Sequence, residues 1–108
     1  MINFKTKTMK TTKKEVGGTS FHGTVMNCSV STLKKVLGKP VYDGNTGDDK
    51  VNFEWNMETN DGDVFTVYDW KEYRSINEDE VIEWHIGGFN ESATEEAKYE
   101  IREAIVKA

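Results

Sequence analysis

Apolar and polar residues alternate in three stretches of the chain, which predicts three strands of a sheet. The clearest stretch runs from Val51 to Thr59, and the others cover 64–70 and 81–86. A period of two is typical of a strand with one buried face. A further strand is predicted at Ser20–Met26, which alternates and contains two β-branched residues.

The dipeptide Asp61-Gly62 lies between the first two stretches and predicts a hairpin. A two-residue turn there pairs Trp55 with Tyr68. A loop that differs in length by one residue instead brings Phe65 and Val67 to the face of Trp55. The sequence leaves both registers open.

Two segments have the spacing of amphipathic helices. Ser29 is a predicted N-cap, and Gly38 followed by Pro40 ends the first helix. The second begins with the capping box Ser92-Ala93-Thr94-Glu95. Apolar residues recur at helical spacing in both: Val30, Leu33, Val36 and Leu37 in the first, and Ala97, Ile101, Ala104 and Ile105 in the second.

The element order is therefore strand, helix, three strands, helix. We expect an α+β fold, with an antiparallel sheet of about four strands and two helices on one face. Residues 1–16 are predicted to form a basic N-terminal arm or an edge strand, and residues 17–108 a single α+β domain. The sheet face without helices is then free to bind a ligand or to dimerise.

The 108 residues suffice for one domain, and their charge is unevenly distributed. Residues 1–40 contain eight Lys and one acid, a charge of about +7. Because the net charge of the chain is −5, residues 41–108 carry a charge of about −12. A mostly acidic body argues against direct nucleic-acid binding, which needs a basic surface. It is compatible with a surface that mimics nucleic acid or meets a basic partner.

Cys28 is the only cysteine, so no intramolecular disulfide forms, as is usual in a reducing cytoplasm. The chain has no apolar run long enough for a membrane span and no apolar leader at its start. We expect a cytoplasmic protein that makes no membrane contact.

Catalytic and metal-binding motifs are weak. Cys28 lies at a strand-to-helix junction, where a thiol can be activated, but a small buried residue is the simpler interpretation. His22, His85 and Cys28 lack the local spacing of a zinc site. We predict no catalytic residue, no metal and no cofactor, and a binding protein in preference to an enzyme.

Two predicted strand ends, 67–74 and 83–88, combine aromatic rings with cations and a Gly-Gly pair. Rings can stack on a base while cations meet phosphate, and glycine lets backbone approach an anion. The alternative is that Trp70 and Trp84 belong to the core. The predicted ligand-binding residues are Tyr68, Trp70, Lys71, Arg74, Trp84, His85, Gly87 and Gly88.

The chain resembles a group of small bacteriophage accessory proteins over about residues 17–90. The resemblance rests on Gly18-Thr19-Ser20, Leu37-Gly38-Lys39-Pro40, Tyr68-Asp69-Trp70-Lys71 and Trp84-His85-Ile86-Gly87-Gly88. It implies a protein that acts on host machinery in an infected bacterium and counters host defence.

We therefore expect a protein that sequesters a nucleotide-derived signalling molecule. The alternative is an acidic protein–protein inhibitor that mimics DNA and docks on a host or defence enzyme. Its acidic residues would be Glu78, Asp79, Glu80, Glu83, Glu95, Glu96, Glu100 and Glu103. A free sheet face and an available edge strand also predict a homo-oligomer.

Overall fold

The computed structural model describes residues 9–48 and 50–108. These residues form an α+β fold with an open antiparallel sheet of six strands and two helices. The elements are β1 (Lys10–Thr11), β2 (Ser20–Ser29), α1 (Val30–Leu37), β3 (Tyr42–Asp43), β4 (Phe53–Glu58), β5 (Val64–Tyr68), β6 (Val81–Gly88) and α2 (Glu91–Lys107). The α+β class is confirmed.

The sheet is larger than predicted because two short strands join it. Its order is β1-β4-β5-β6-β2, and β3 also pairs with β4. Within residues 1–16, predicted as a basic arm or an edge strand, Lys10–Thr11 form β1 at one edge of the sheet, and residues 1–8 lie outside the described residues. Within the described ranges, no helix is long and apolar enough to cross a membrane.

The hairpin between β4 and β5 adopts the second of the two predicted registers. Trp55 lies opposite Val67, and Met57 lies opposite Phe65. Thr59 donates its N–H to the carbonyl of Asp63 at 2.9 Å, which leaves a loop of three residues. Gly62 ends this loop with φ 89°, the left-handed conformation that a three-residue hairpin requires.

This register gathers apolar residues of neighbouring strands on the face that both helices cover. Trp55 and Trp84 meet edge to face, with ring centroids 5.6 Å apart. Leu33 of α1 and Ile101 of α2 pack into the same core. Each indole N–H is satisfied, since Trp55 donates to the carbonyl of Gly38 at 2.8 Å and Trp84 to that of Cys28 at 2.9 Å.

Two predicted boundaries were wrong. The third core strand does not end at Ile86 as predicted, because Gly87 and Gly88 pair with β2 and β5 and extend β6 to Gly88. The second helix begins at Glu91 and not after Ser92, because the Asn90 side chain accepts the N–H of Ala93 at 2.8 Å. The N-cap of the first helix is confirmed at Ser29, which accepts the N–H of Thr32.

Candidate functional site on the open face of the sheet

Four aromatic rings lie together on the sheet face opposite the helices, here the open face. Tyr68 and His85 lie opposite each other on β5 and β6. Phe21 comes from the start of β2, and Trp70 follows the end of β5. We call Phe21, Tyr68, Trp70 and His85 the open-face aromatic cluster.

The rings of this cluster are in mutual contact. His85 stacks on Phe21 with centroids 4.0 Å apart and on Trp70 with centroids 6.2 Å apart. Tyr68 meets both His85 and Trp70 edge to face. The outer rings stay accessible, because Phe21 is 42% exposed and Trp70 is 40% exposed. The cluster is thus a preformed aromatic surface facing solvent.

Two lysines lie over the Trp70 ring. The ammonium of Lys50 is 5.8 Å from the ring centroid, and that of Lys71 is 5.6 Å away. Their backbones are joined, since the N–H of Lys71 donates to the carbonyl of Lys50 at 2.7 Å. Lys71 has φ 55°, a left-handed conformation that costs a non-glycine residue about 1 kcal/mol. This backbone strain occurs at the position where the Lys50 and Lys71 ammonium groups approach the Trp70 indole.

A shallow hollow of about 260 Å³ adjoins the cluster. Its floor includes Gly87, where an added Cβ would lie only 2.6 Å from the hydroxyl of Thr66. The lining residues are Val16, Thr19, Ser20, Val51, Glu54, Thr66, Tyr68, Trp70 and Gly87. Glycine at this floor position therefore keeps the hollow open.

Partial burial sets the protonation of the groups at this surface. It raises the pKa of the Glu54 carboxyl. Burial, and then the charge of Glu54, raise the pKa of the Tyr68 phenol, which stays a neutral hydroxyl. Burial lowers the pKa of His85, against a smaller opposing effect of Glu83. His85 is therefore a neutral ring near pH 7.

A buried carboxylate holds the chain between Tyr68 and Trp70. Asp69 is fully buried, and its Oδ1 accepts the backbone N–H groups of Asn52 and Phe53, both at 2.8 Å. Its Oδ2 accepts the side-chain amide of Asn52 at 3.0 Å. That amide also donates to the carbonyl of Arg74 at 3.2 Å. Asp69 thereby joins the segments that carry Lys50, Trp70 and Lys71.

The structure brings together five of the eight predicted ligand-binding residues. Tyr68, Trp70, Lys71 and His85 lie side by side, and Gly87 forms the floor of the hollow.

The other three residues are elsewhere. Trp84 points to the opposite face of β6 and is fully buried. Gly88 packs under α2, where a Cβ would meet the Thr94 methyl at 3.0 Å. Arg74 forms a two-pronged ion pair with Glu80, at 2.8 and 2.6 Å. Gly87 and Gly88 also pair with strands on both sides, so their backbone lies within the sheet and does not face an anion.

Sequence reasoning missed Phe21 and Lys50. Phe21 lies opposite Gly87, and the register between β2 and β6 shifts between Phe21 and Val25. Gly23 in this irregular stretch, with φ 90°, is the sequence signal that could have marked it. Nothing in the sequence around Lys50 indicates that its side chain reaches Trp70.

The other candidate chemistry is dispersed or buried. Burial raises the pKa of the Cys28 thiol to about 11, so it is not an activated nucleophile. Among residues 9–48 and 50–108, no three His, Cys, Asp or Glu residues come close enough to hold a metal ion.

The predicted acidic surface is interrupted by cations and by burial. Glu78 pairs with Lys34 at 3.1 Å, and Glu80 pairs with Arg74. Glu100 is only 9% exposed and accepts the backbone N–H of Asn60 at 3.0 Å. These acids do not form one uniform negative face, and the DNA-mimic alternative stays a prediction without a specific observation in its favour.

Comparisons with protein-family models, with curated proteins and with solved structures found no match to this chain.

Proposed function

We propose that the chain binds a nucleotide-derived small molecule on the open face and withholds it from other proteins. The observation that carries this proposal is the surroundings of Trp70. Its ring is 40% exposed, stacks on His85, and has the ammonium groups of Lys50 and Lys71 within 6 Å.

Each part of the surface matches one part of a nucleotide. A base can stack on an exposed ring, which contributes about 1–3 kcal/mol per base. Lys50 and Lys71 supply positive charge for phosphate. The hollow beside the rings offers hydrogen-bonding groups for sugar hydroxyls or a base edge from Glu54, Thr66 and Tyr68.

The same features favour capture over turnover. The rings are held together before any ligand arrives, so little side-chain entropy is lost on binding. His85 is neutral and flanked by two rings, which suits stacking better than proton transfer. The resemblance to bacteriophage accessory proteins supplies the setting, in which the ligand is a messenger of host defence.

Isothermal titration calorimetry with cyclic dinucleotides and ADP-ribose derivatives tests the proposal. We expect heat with at least one of these ligands. Trp70→Ala should weaken binding roughly 10- to 100-fold, the loss of one stacked base. Tyr73→Ala is the matched control, because Tyr73 is an exposed aromatic ring three residues further along the same loop.

The lysines are tested by salt dependence. Lys71→Ala should weaken binding and flatten its dependence on salt concentration, because one phosphate contact is lost. Lys39→Ala, an exposed lysine after α1, should leave both unchanged. Absence of heat with every ligand tested, or full affinity in Trp70→Ala, would overturn the proposal.

A further inference from the structure

The outer edge of β2 is unusually open for pairing. β2 has ten residues and is the last strand of the sheet, and within the described ranges it pairs only with β6. Its sequence, SFHGTVMNCS, contains no Lys, Arg, Asp, Glu or Pro. Proteins normally protect a long edge strand with charge, proline or a covering segment. Residues 25–29 lie beyond the irregular stretch and follow a regular register with β6.

Helix α2 lies beside this edge and runs in the same direction as β2. Near its start, the hydroxyls of Thr94 and Thr24 are 2.7 Å apart. Further along, Asn27 and Arg102 line one hollow of about 470 Å³, together with Val25, Met26, Lys98, Ile105 and Val106. A two-fold axis that pairs two β2 strands would therefore also bring two α2 helices side by side.

Along the side of α2 beside β2, two acids precede two bases, while the exposed Glu103 lies next to Arg102 on the neighbouring side. Glu91 and Glu95 lie in the first half, and Lys98 and Arg102 follow. Tyr99 is 63% exposed and Val106 is 80% exposed. Two such helices placed antiparallel bring Glu95 of one copy toward Arg102 of the other, with the apolar side chains of Tyr99 and Val106 between them. The occupant with matching charge is therefore a second copy of this chain.

We propose that two copies of this chain pair through β2, antiparallel, about a two-fold axis at Met26 or Asn27. The two six-stranded sheets then form one continuous sheet, with both α2 helices on the same side. Opposing residues of antiparallel strands point to the same face. For both α2 helices to stay on the same side of the sheet, the residue at the axis must lie opposite its own copy. The axis therefore pairs Met26 with Met26 or Asn27 with Asn27.

The strand and the helix place this axis at the same level. From Thr24, the axis is roughly 8 Å along β2 at 3.3 Å per residue. From Thr94, the same length corresponds to roughly five residues at 1.5 Å each, which reaches Tyr99. Glu95 of one copy then lies near Arg102 of the other, and the two Tyr99 rings meet near the centre.

Analytical ultracentrifugation of the full chain tests this pairing. We expect the native protein to be dimeric and Asn27→Lys to dimerise at least tenfold more weakly. In one copy the new lysine lies opposite Glu83, an ion pair the fold can accept. Across the axis, two lysines repel each other. Thr11→Lys, the same change on the opposite edge strand, should leave the dimer intact.

A charge exchange distinguishes the proposed helix contact from other interfaces. Glu95→Arg and Arg102→Glu should each weaken the dimer, and the double variant should restore it. Circular dichroism melts verify that each variant is folded. A monomeric native chain, a dimer indifferent to Asn27→Lys, or a double variant that fails to dimerise would overturn the proposal. These experiments use no nucleotide, so their failure would not contradict the proposed nucleotide binding.

Discussion

Phe21 and His85 are separated by 64 positions in sequence, yet their rings stack with centroids 4.0 Å apart and planes 16° apart. Phe21 lies opposite Gly87, so its ring reaches diagonally over a position without a side chain to cover the imidazole. This contact ties the edge strand to the open-face aromatic cluster and removes water from one side of His85.

The stacked ring predicts how His85 titrates. Burial lowers the pKa of His85 in the folded chain, so the unfolded chain binds a proton first as the pH falls. The contribution of His85 to stability is therefore complete above its ordinary pKa of 6.5 and is lost as the pH falls from there toward the lowered value.

NMR titration should accordingly give His85 a pKa below 6.5. Phe21→Ala uncovers the imidazole, and the pKa should move back upward. Lys39→Ala, distant from the cluster, should not change it. An unchanged pKa in Phe21→Ala would show that the stacked ring is not the cause.

We expect truncation of the Asp69 side chain to cause a large loss of folding stability. Asp69→Ala leaves two backbone N–H groups and one amide without their acceptor in a buried position, which should cost about 3 kcal/mol or more. Asp69→Asn keeps one acceptor oxygen for both N–H groups and should cost about 1–2 kcal/mol. Urea unfolding followed by tryptophan fluorescence measures both. Equal losses would mean that volume, and not hydrogen bonding, sets the cost.

We expect Gly87→Ala to destabilise the fold by overpacking and a second change, Thr66→Ala, to relieve that loss. Gly87→Ala places a methyl 2.6 Å from the Thr66 hydroxyl, which should cost about 1–3 kcal/mol. Thr66→Ala makes room, so the double variant should recover most of that loss. A double-mutant cycle from urea unfolding measures the coupling. Strictly additive losses would contradict the contact.

Because of Glu100, we expect the stability of the folded chain to fall as the pH rises. Burial is the main cause that raises its pKa from 4.5 to about 7. A raised pKa makes the folded chain bind the proton more tightly, so the stabilisation is present below pH 4.5 and is lost as the pH rises through about 7.

Glu100→Gln cannot ionise and should remove this loss. We expect it to be more stable than the native chain by about 1–2 kcal/mol at pH 8 and nearly equal to it at pH 5. Thermal unfolding at both pH values measures the difference. Glu103→Gln, on an exposed position of the same helix, is the control.

The local elements of this fold follow from the sequence because their signals are local. Ser29 caps α1 and Gly38 ends it as predicted, and alternation in 53–58 identifies β4. The capping box at Ser92 was misleading because Asn90, two residues earlier, caps α2 with the same chemistry. The Gly87-Gly88 pair resembles a strand end, yet both glycines continue β6 because they pair with β2 and β5. Neighbouring side chains occupy the space that Cβ atoms would need there, which is why both positions hold glycine.

The candidate site depended on contacts that no local pattern records. Trp70 and Trp84 have similar sequence surroundings, yet one is 40% exposed and the other fully buried. The sequence by itself determined the α+β class, the periodicity of the main strands and the first helix cap, because neighbouring residues encode these. Only the tertiary structure decided the hairpin register, the position of Phe21 and the meeting of Lys50 with Trp70, because one residue of register moves every side chain to the other face.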